Sequence, residues 1–149
     1  MKDKFFLDTN IFVYSFDKDS QSKSKKSQYL IKSALGSANG TISFQVIQEF
    51  LNVSTSKFKH PLSISDARKY LENVLFPLCE VFPSFTFYRK SMDLKEKTNY
   101  SFYDCLIIYA ALEADCKYLL TEDLDNGRKI GKLTIINPFA KENQKIFNF

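Results

Sequence analysis

Phe5-Phe6-Leu7-Asp8-Thr9-Asn10 is the stretch whose reading decides the fold. Three consecutive apolar residues with no polar alternation suit a strand buried on both faces of a parallel sheet. From Ile11 the spacing of Ile11, Phe12, Tyr14 and Phe16 is helical, which places the turn at Thr9 and Asn10. Asp8 then stands at the carboxyl end of a central strand, the edge where open α/β sheets bind ligands. A second reading stays open at this stage, in which Asp8 or Asn10 only caps the helix that follows.

Outward from this stretch, strands alternate with helices. Asp17 to Lys26 reads as a polar loop, and Tyr29, Leu30, Ile31, Ala34 and Leu35 give the next helix an apolar face that ends at Gly36 to Gly40. Thr41-Ile42-Ser43 is a short strand, and the spacing Phe44, Ile47, Phe50, Leu51, Ser54, Phe58 is a helix broken at His60-Pro61. Ser63 to Phe76 is a helix closed by Pro77, followed by a strand over Cys79-Glu80-Val81-Phe82 and a helix over Ser84 to Lys97. Ser101 to Asp115 is the most apolar helix, Tyr118 to Thr121 a buried strand, Asp125-Asn126-Gly127 a turn, and Leu133 to Ile136 the last strand. The alternation predicts an α/β domain with helices covering both faces of a mainly parallel sheet of four to five strands. All 149 residues are expected in this one domain, with 140–149 as a tail that docks through Ile146, Phe147 and Phe149 or frays.

Composition removes several chemistries. One histidine, His60, excludes a His-rich zinc site and any mechanism needing two imidazoles. No G-x-S-x-G elbow accompanies it, and the four glycines build neither a P-loop nor a dinucleotide fingerprint. The three cysteines, Cys79, Cys105 and Cys116, form no C-x-x-C pair and read as buried, reduced thiols. The N-terminus leads straight into the first strand, and no apolar run approaches membrane-span length, so a cytoplasmic protein without a membrane partner is expected. Any chemistry rests on carboxylates, which suit hard ions such as Mg2+ or Mn2+. Net charge is +4, with lysines and arginines in small groups that read either as solvated faces or as a track for a phosphate backbone.

Beyond Asp8, three acids stand where an α/β sheet gathers its site. Glu49 borders the apolar stripe beside Val46 and Val53, with Gln45 and Asn52 expected to point away. It reads either as a boundary side chain that snorkels to solvent or as a member of the site, since its helix starts near the same sheet edge as Asp8. Asp104 is the only early charge on the helix that begins near Ser101, which is apolar all round and so expected to be buried on every side. Asp104 fits a capping box there and is expected to need a partner. Asp123 follows Leu119-Leu120-Thr121 as Asp8 follows Leu7, with Glu122 and Asp125 as competitors for the same place. Crowded carboxylates repel, so at least one should have a raised pKa when no cation is bound.

Phe6-Leu7-Asp8-Thr9-Asn10, Gln48-Glu49-Phe50, Ser101-Phe102-Tyr103-Asp104 and Leu120-Thr121-Glu122-Asp123 together resemble the PIN domain, and more narrowly the toxin nuclease of VapBC-type toxin–antitoxin pairs. The resemblance spans nearly the whole chain in order and spacing. It implies a three-layer α/β/α fold and metal-dependent cleavage of RNA by an acidic quartet of Asp8, Glu49, Asp104 and Asp123. Asp8, Asp104 and Asp123 would hold Mg2+ or Mn2+, with Glu49 as ligand or water-orienting base and Asn10 and Thr121 in support. It also implies a cognate antitoxin protein and a homodimer. Two rival functions remain: a PIN-like module that binds RNA or protein without cutting, and a phosphatase or phosphotransferase with Asp8 as nucleophile. The second resembles the haloacid dehalogenase group, which wants an Asp two residues on, where this chain has Asn10.

Overall fold

The computed structural model of the protein describes residues 2–148. Six strands form one sheet: β1 (Phe5–Leu7), β2 (Gly40–Ser43), β3 (Cys79–Val81), β4 (Tyr118–Leu120), β5 (Lys129–Ile130) and β6 (Leu133–Ile136), in the order β3-β2-β1-β4-β6-β5. Every neighbouring pair is parallel except β5 with β6. The sequence reading of four to five strands was one short. β5 has only two residues, too few to show a period, and it lies in a basic segment folded back at Gly131, whose φ is +59°.

Chain order explains where a site can form. After β1 the chain builds β2 and β3 on one side, then crosses to lay β4 and β6 on the other. The reversal lies between β1 and β4, and in open α/β sheets such a switch point, beyond the carboxyl ends of the strands, is where ligands bind. Phe6 pairs with Leu119 and Leu7 with Leu120, so Asp8 comes level with Thr121, and the Asp8 amide donates to the Leu120 carbonyl at 3.1 Å.

The flanking helices are α1 (Thr9–Tyr14), α2 (Gln21–Ser37), α3 (Phe44–Ser56), α4 (Ile64–Tyr70), α5 (Phe76–Leu78), α6 (Phe85–Lys97), α7 (Phe102–Glu113) and α8 (Gln144–Phe147). α2 starts at Gln21, inside the stretch expected to be a loop. Its first turns carry Ser, Lys and Gln on an exposed surface, where polarity reports solvent and not absence of helix. α4 continues through a π turn over Leu71–Leu75 into α5, so the helix outlasts Pro77 by one residue. Pro77 has no amide hydrogen to donate, and the widened turn sits immediately before it.

Burial of Phe5, Phe6 and Leu7 is nearly complete, as the unbroken apolar run requires. Each such side chain contributes about 1.5–3 kcal/mol on removal from water. Phe12, Phe16, Phe50, Phe58 and Tyr70 form a second aromatic cluster that fastens α1, α3 and α4 together. Gly40 lets α2 lie against β2, because a Cβ there would stand 2.2 Å from that of Ala34.

At the C-terminal end, a 3-10 turn (Lys141–Asn143) leads into α8. Phe147 is buried, whereas Ile146 is not, and the expected docking of Phe149 lies outside the described residues. Asn126 ties this segment down: its Oδ1 accepts from the Asn137 amide at 2.8 Å and from Asn143 Nδ2 at 2.9 Å. Cys105 and Cys116 are buried and Cys79 half-buried, and all three are free thiols.

Candidate active site

Asp8 is the hub. It is the N-cap of α1, its Oδ1 accepting from the Thr9 amide at 2.7 Å, so the capping reading is correct. It is also 8% exposed and faces other acids, so the cap does not exhaust its role. Its Oδ2 accepts from Thr121 Oγ1 at 2.7 Å. That hydroxyl in turn accepts from Asn10 Nδ2 at 3.2 Å and from the Asp123 amide at 3.1 Å. A hydroxyl has one hydrogen and two lone pairs, so Thr121 is fully used and its proton must point at Asp8. Asn10 Nδ2 also donates to Asp123 Oδ2 at 2.9 Å, which fastens Asp123 to the same cluster.

Burial pushes the Asp8 carboxyl up to about 6, and Glu49 and Asp123 add a smaller repulsion. The hydrogen bonds from Thr121 and Thr9 oppose the rise. Crowding leads one to expect a raised acid here, yet desolvation and not mutual repulsion is the larger cause.

Glu49 is half-buried on α3 and held at both oxygens. Thr9 Oγ1 donates to its Oε2 at 2.6 Å, and Gln45 Nε2 to its Oε1 at 2.8 Å. Gln45 was expected to point away, but it is 5% exposed and turned inward. The reason is its place in the first turn of α3, beside the start of α7, where it also donates to the Tyr103 carbonyl at 3.3 Å. Neither Thr9 nor Gln45 stood out as a site residue in the sequence. The four-residue interval from Gln45 to Glu49 was the available signal, since residues so spaced are neighbours on a helix.

Asp104 differs. Ser101 is the N-cap of α7 and its Oγ accepts from the Asp104 amide at 3.2 Å, as the S-x-x-D pattern predicts. The Asp104 carboxylate is half-buried and, among the described residues, takes part in no hydrogen bond or ion pair. The expected burial of this helix on every side is corrected: Tyr103 beside it is 67% exposed, so water reaches the first turn and no partner is required. The structure therefore joins Asp8, Glu49 and Asp123 through shared donors and leaves Asp104 on the neighbouring helix end.

The competitors for the place of Asp123 are otherwise engaged. Both Glu122 oxygens are held by Lys23 Nζ, at 2.8 and 2.9 Å, and that ammonium lies 4.6 Å from the centre of the Tyr14 ring. Asp125 accepts from the Tyr100 hydroxyl at 2.9 Å and pairs with Arg128 at 3.6 Å, while the Arg128 guanidinium stacks over the Tyr100 ring. Lys23 and Arg128 are thus already paired.

Donor chemistry at the site fits a hard divalent cation. The charged groups that act on Asp8 are the carboxylates of Glu49 and Asp123, and the buried Asn10 Oδ1 has no hydrogen-bond partner among the described residues. As they stand, however, no three acidic, cysteine or histidine side chains among the described residues converge closely enough to enclose an ion.

Known proteins share this architecture. A toxin–antitoxin complex from Klebsiella pneumoniae contains a chain that superposes with a TM-score of 0.64 at 14% identity, over 91% of this chain and 98% of that one. VapBC2 from Rickettsia felis, bound to a DNA fragment from its promoter, gives 0.56 at 23% identity, over 88% and 96%. The sarcin-ricin loop cleaving toxin VapC20 of Mycobacterium tuberculosis gives 0.53 at 12% identity, over 78% and 87%. At these identities the likeness is one of fold. No curated protein matches the sequence. The model of the PIN domain matches residues 5–132, from the strand before Asp8 to beyond the Asp123 loop, and the chain belongs to the PIN domain family.

Proposed function

We propose that the protein is a metal-dependent endoribonuclease and the toxin of a VapBC-type toxin–antitoxin pair, acting in the cytoplasm as a single nuclease domain of residues 1–149. The observation that carries this reading is that Thr9, Asn10 and Thr121 link Asp8, Glu49 and Asp123 in one hydrogen-bond network near the carboxyl edge of the sheet. Asp8, Asp104 and Asp123 would hold Mg2+ or Mn2+, and Glu49 would serve as ligand or as the base that orients water. When bound, the ion supplies a water of lowered pKa and offsets charge on the attacked phosphodiester. Thr121 and Asn10 keep Asp8 and Asp123 in register, and Thr9 fixes the face that Glu49 presents. Lysines and arginines around the edge hold the RNA backbone, because a carboxylate pocket alone repels phosphate. An antitoxin protein covers this edge, and two copies of the chain associate. A mass measurement that finds only monomer, with and without antitoxin, counts against the association.

The test is cleavage of total cellular RNA with Mg2+, Mn2+ or EDTA, beside Asp104→Asn. Discrete fragments that require metal and vanish in the variant support the nuclease. A folded Asp104→Asn or Asp8→Asn protein that cleaves at the parent's rate overturns the assignment. The unpartnered, half-open Asp104 favours one alternative, a module that binds RNA or protein without cutting, and absence of cleavage across diverse RNAs supports that instead.

A further inference from the structure

We infer that Gln45 is a positioning residue that holds Glu49 and the first turn of α7, which carries Asp104, in one frame. The inference rests on reading those two acids as members of one metal site. Gln45 is 5% exposed, and its amide nitrogen donates to Glu49 Oε1 at 2.8 Å and to the Tyr103 carbonyl at 3.3 Å. A primary amide has two N–H groups, and both are spent here, one on each acid-bearing helix. Both partners are acceptors only, which fixes the orientation of the amide. Turned over, its oxygen would meet a carboxylate and a carbonyl.

The other end of the side chain makes the same point. Gln45 Oε1 is buried and has no hydrogen-bond partner among the described residues. A buried acceptor without a donor is unfavourable, and an apolar side chain of equal length would avoid the penalty. Gln45 is accounted for by what its nitrogen does. Tyr103 immediately precedes Asp104, whose own carboxylate has no partner among the described residues. α3 and α7 make few other close approaches, so this amide is a principal tie between the helix of Glu49 and the helix of Asp104. Without it Glu49 loses one of its two donors and α3 loses its hydrogen bond to the start of α7.

The test uses the full chain, metal-free and then titrated with Mn2+, as parent and as Gln45→Met, which keeps length and removes both donors. In the parent, the Gln45 side-chain amide hydrogens should exchange with solvent far more slowly than those of the exposed Gln48, read by NMR. In Gln45→Met the Asp104 backbone amide resonance should shift, the unfolding temperature of the metal-free protein should change little, and Mn2+ affinity should fall about 10- to 100-fold, as losses around a metal's ligands commonly do. Gln45→Leu replaces the methionine variant if the latter does not fold, and the exchange measurement needs no variant at all. Rapid exchange of the Gln45 amide hydrogens, or a variant that binds Mn2+ as tightly as the parent, overturns the inference. Slow exchange and a shifted Asp104 resonance in a parent that binds no Mn2+ would keep the tie between the helices and remove the metal reading instead.

Discussion

Asp8 and Asp104 are both aspartates at helix starts, and the protein treats them in opposite ways. Asp8 is buried, both oxygens accept hydrogen bonds, and the donors it uses are themselves anchored by Asn10 and the Asp123 loop. Asp104 is half-open, and it is its amide, not its carboxylate, that Ser101 engages. A buried carboxylate must be satisfied by the fold, whereas one in the exposed first turn of a helix is satisfied by water and the helix dipole. One side of the acidic edge is therefore fixed by donors of the fold itself. On the other, only the backbone of the helix start is held, and the Asp104 carboxylate is left without a donor among the described residues.

The sharpest way to break this contrast is Thr121→Val. It strips a donor from Asp8 and orphans the Asp123 amide, and is expected to cost about 3 kcal/mol in urea unfolding. It should also push the Asp8 carboxyl above its present value of about 6, because the Thr121 hydrogen bond is the larger of the two that restrain it.

The pH dependence comes next. Asp8 binds its proton more tightly folded than unfolded, so between about 4 and 6 the native state carries more proton than the unfolded chain. The resulting stabilisation is full below pH 4 and is lost as pH rises through about 6, a change on the order of 3 kcal/mol in the metal-free protein. Urea unfolding from pH 4 to 8 should show this fall in the parent and in Asp104→Asn, and a flatter curve in Asp8→Asn. Equal slopes in all three would erase the distinction between the two acids.

Ser101→Ala removes the cap of α7 and should cost about 1 kcal/mol by the same measurement. Asp104→Asn alone should change stability by less than about 0.5 kcal/mol, since a half-open carboxylate without a partner has little to lose. A larger loss would reveal a contact that the comparison assumes absent.

The contrast also marks what a sequence can disclose. The strand at Phe5 to Leu7 and the cap at Ser101 follow from local pattern, and both appear as expected. Asp8, Asp104 and an acid after Thr121 stand out because each lies at a strand end or in the first turn of a helix, whereas Glu49, and Asp123 in preference to Glu122, are singled out only by the family resemblance. The inward turn of Gln45 could not be picked out, since it depends on where α7 lies across the sheet, and helical phase about α3 alone points it elsewhere. The choice of Asp123 as the partner of Asn10 likewise turns on Lys23, nearly a hundred positions away, which occupies Glu122. β5 was hidden by its length, and the start of α2 by its solvent-facing composition.

For those who handle the protein, the bonds from Asn126 to Asn137 and Asn143 matter in a practical way. Asn126 lies three residues beyond Asp123, so the C-terminal segment is stapled to the loop that carries an acid of the site. Any force applied to the C-terminal segment is therefore carried to the Asp123 loop through a handful of bonds, and a handle placed on that segment should be cleavable.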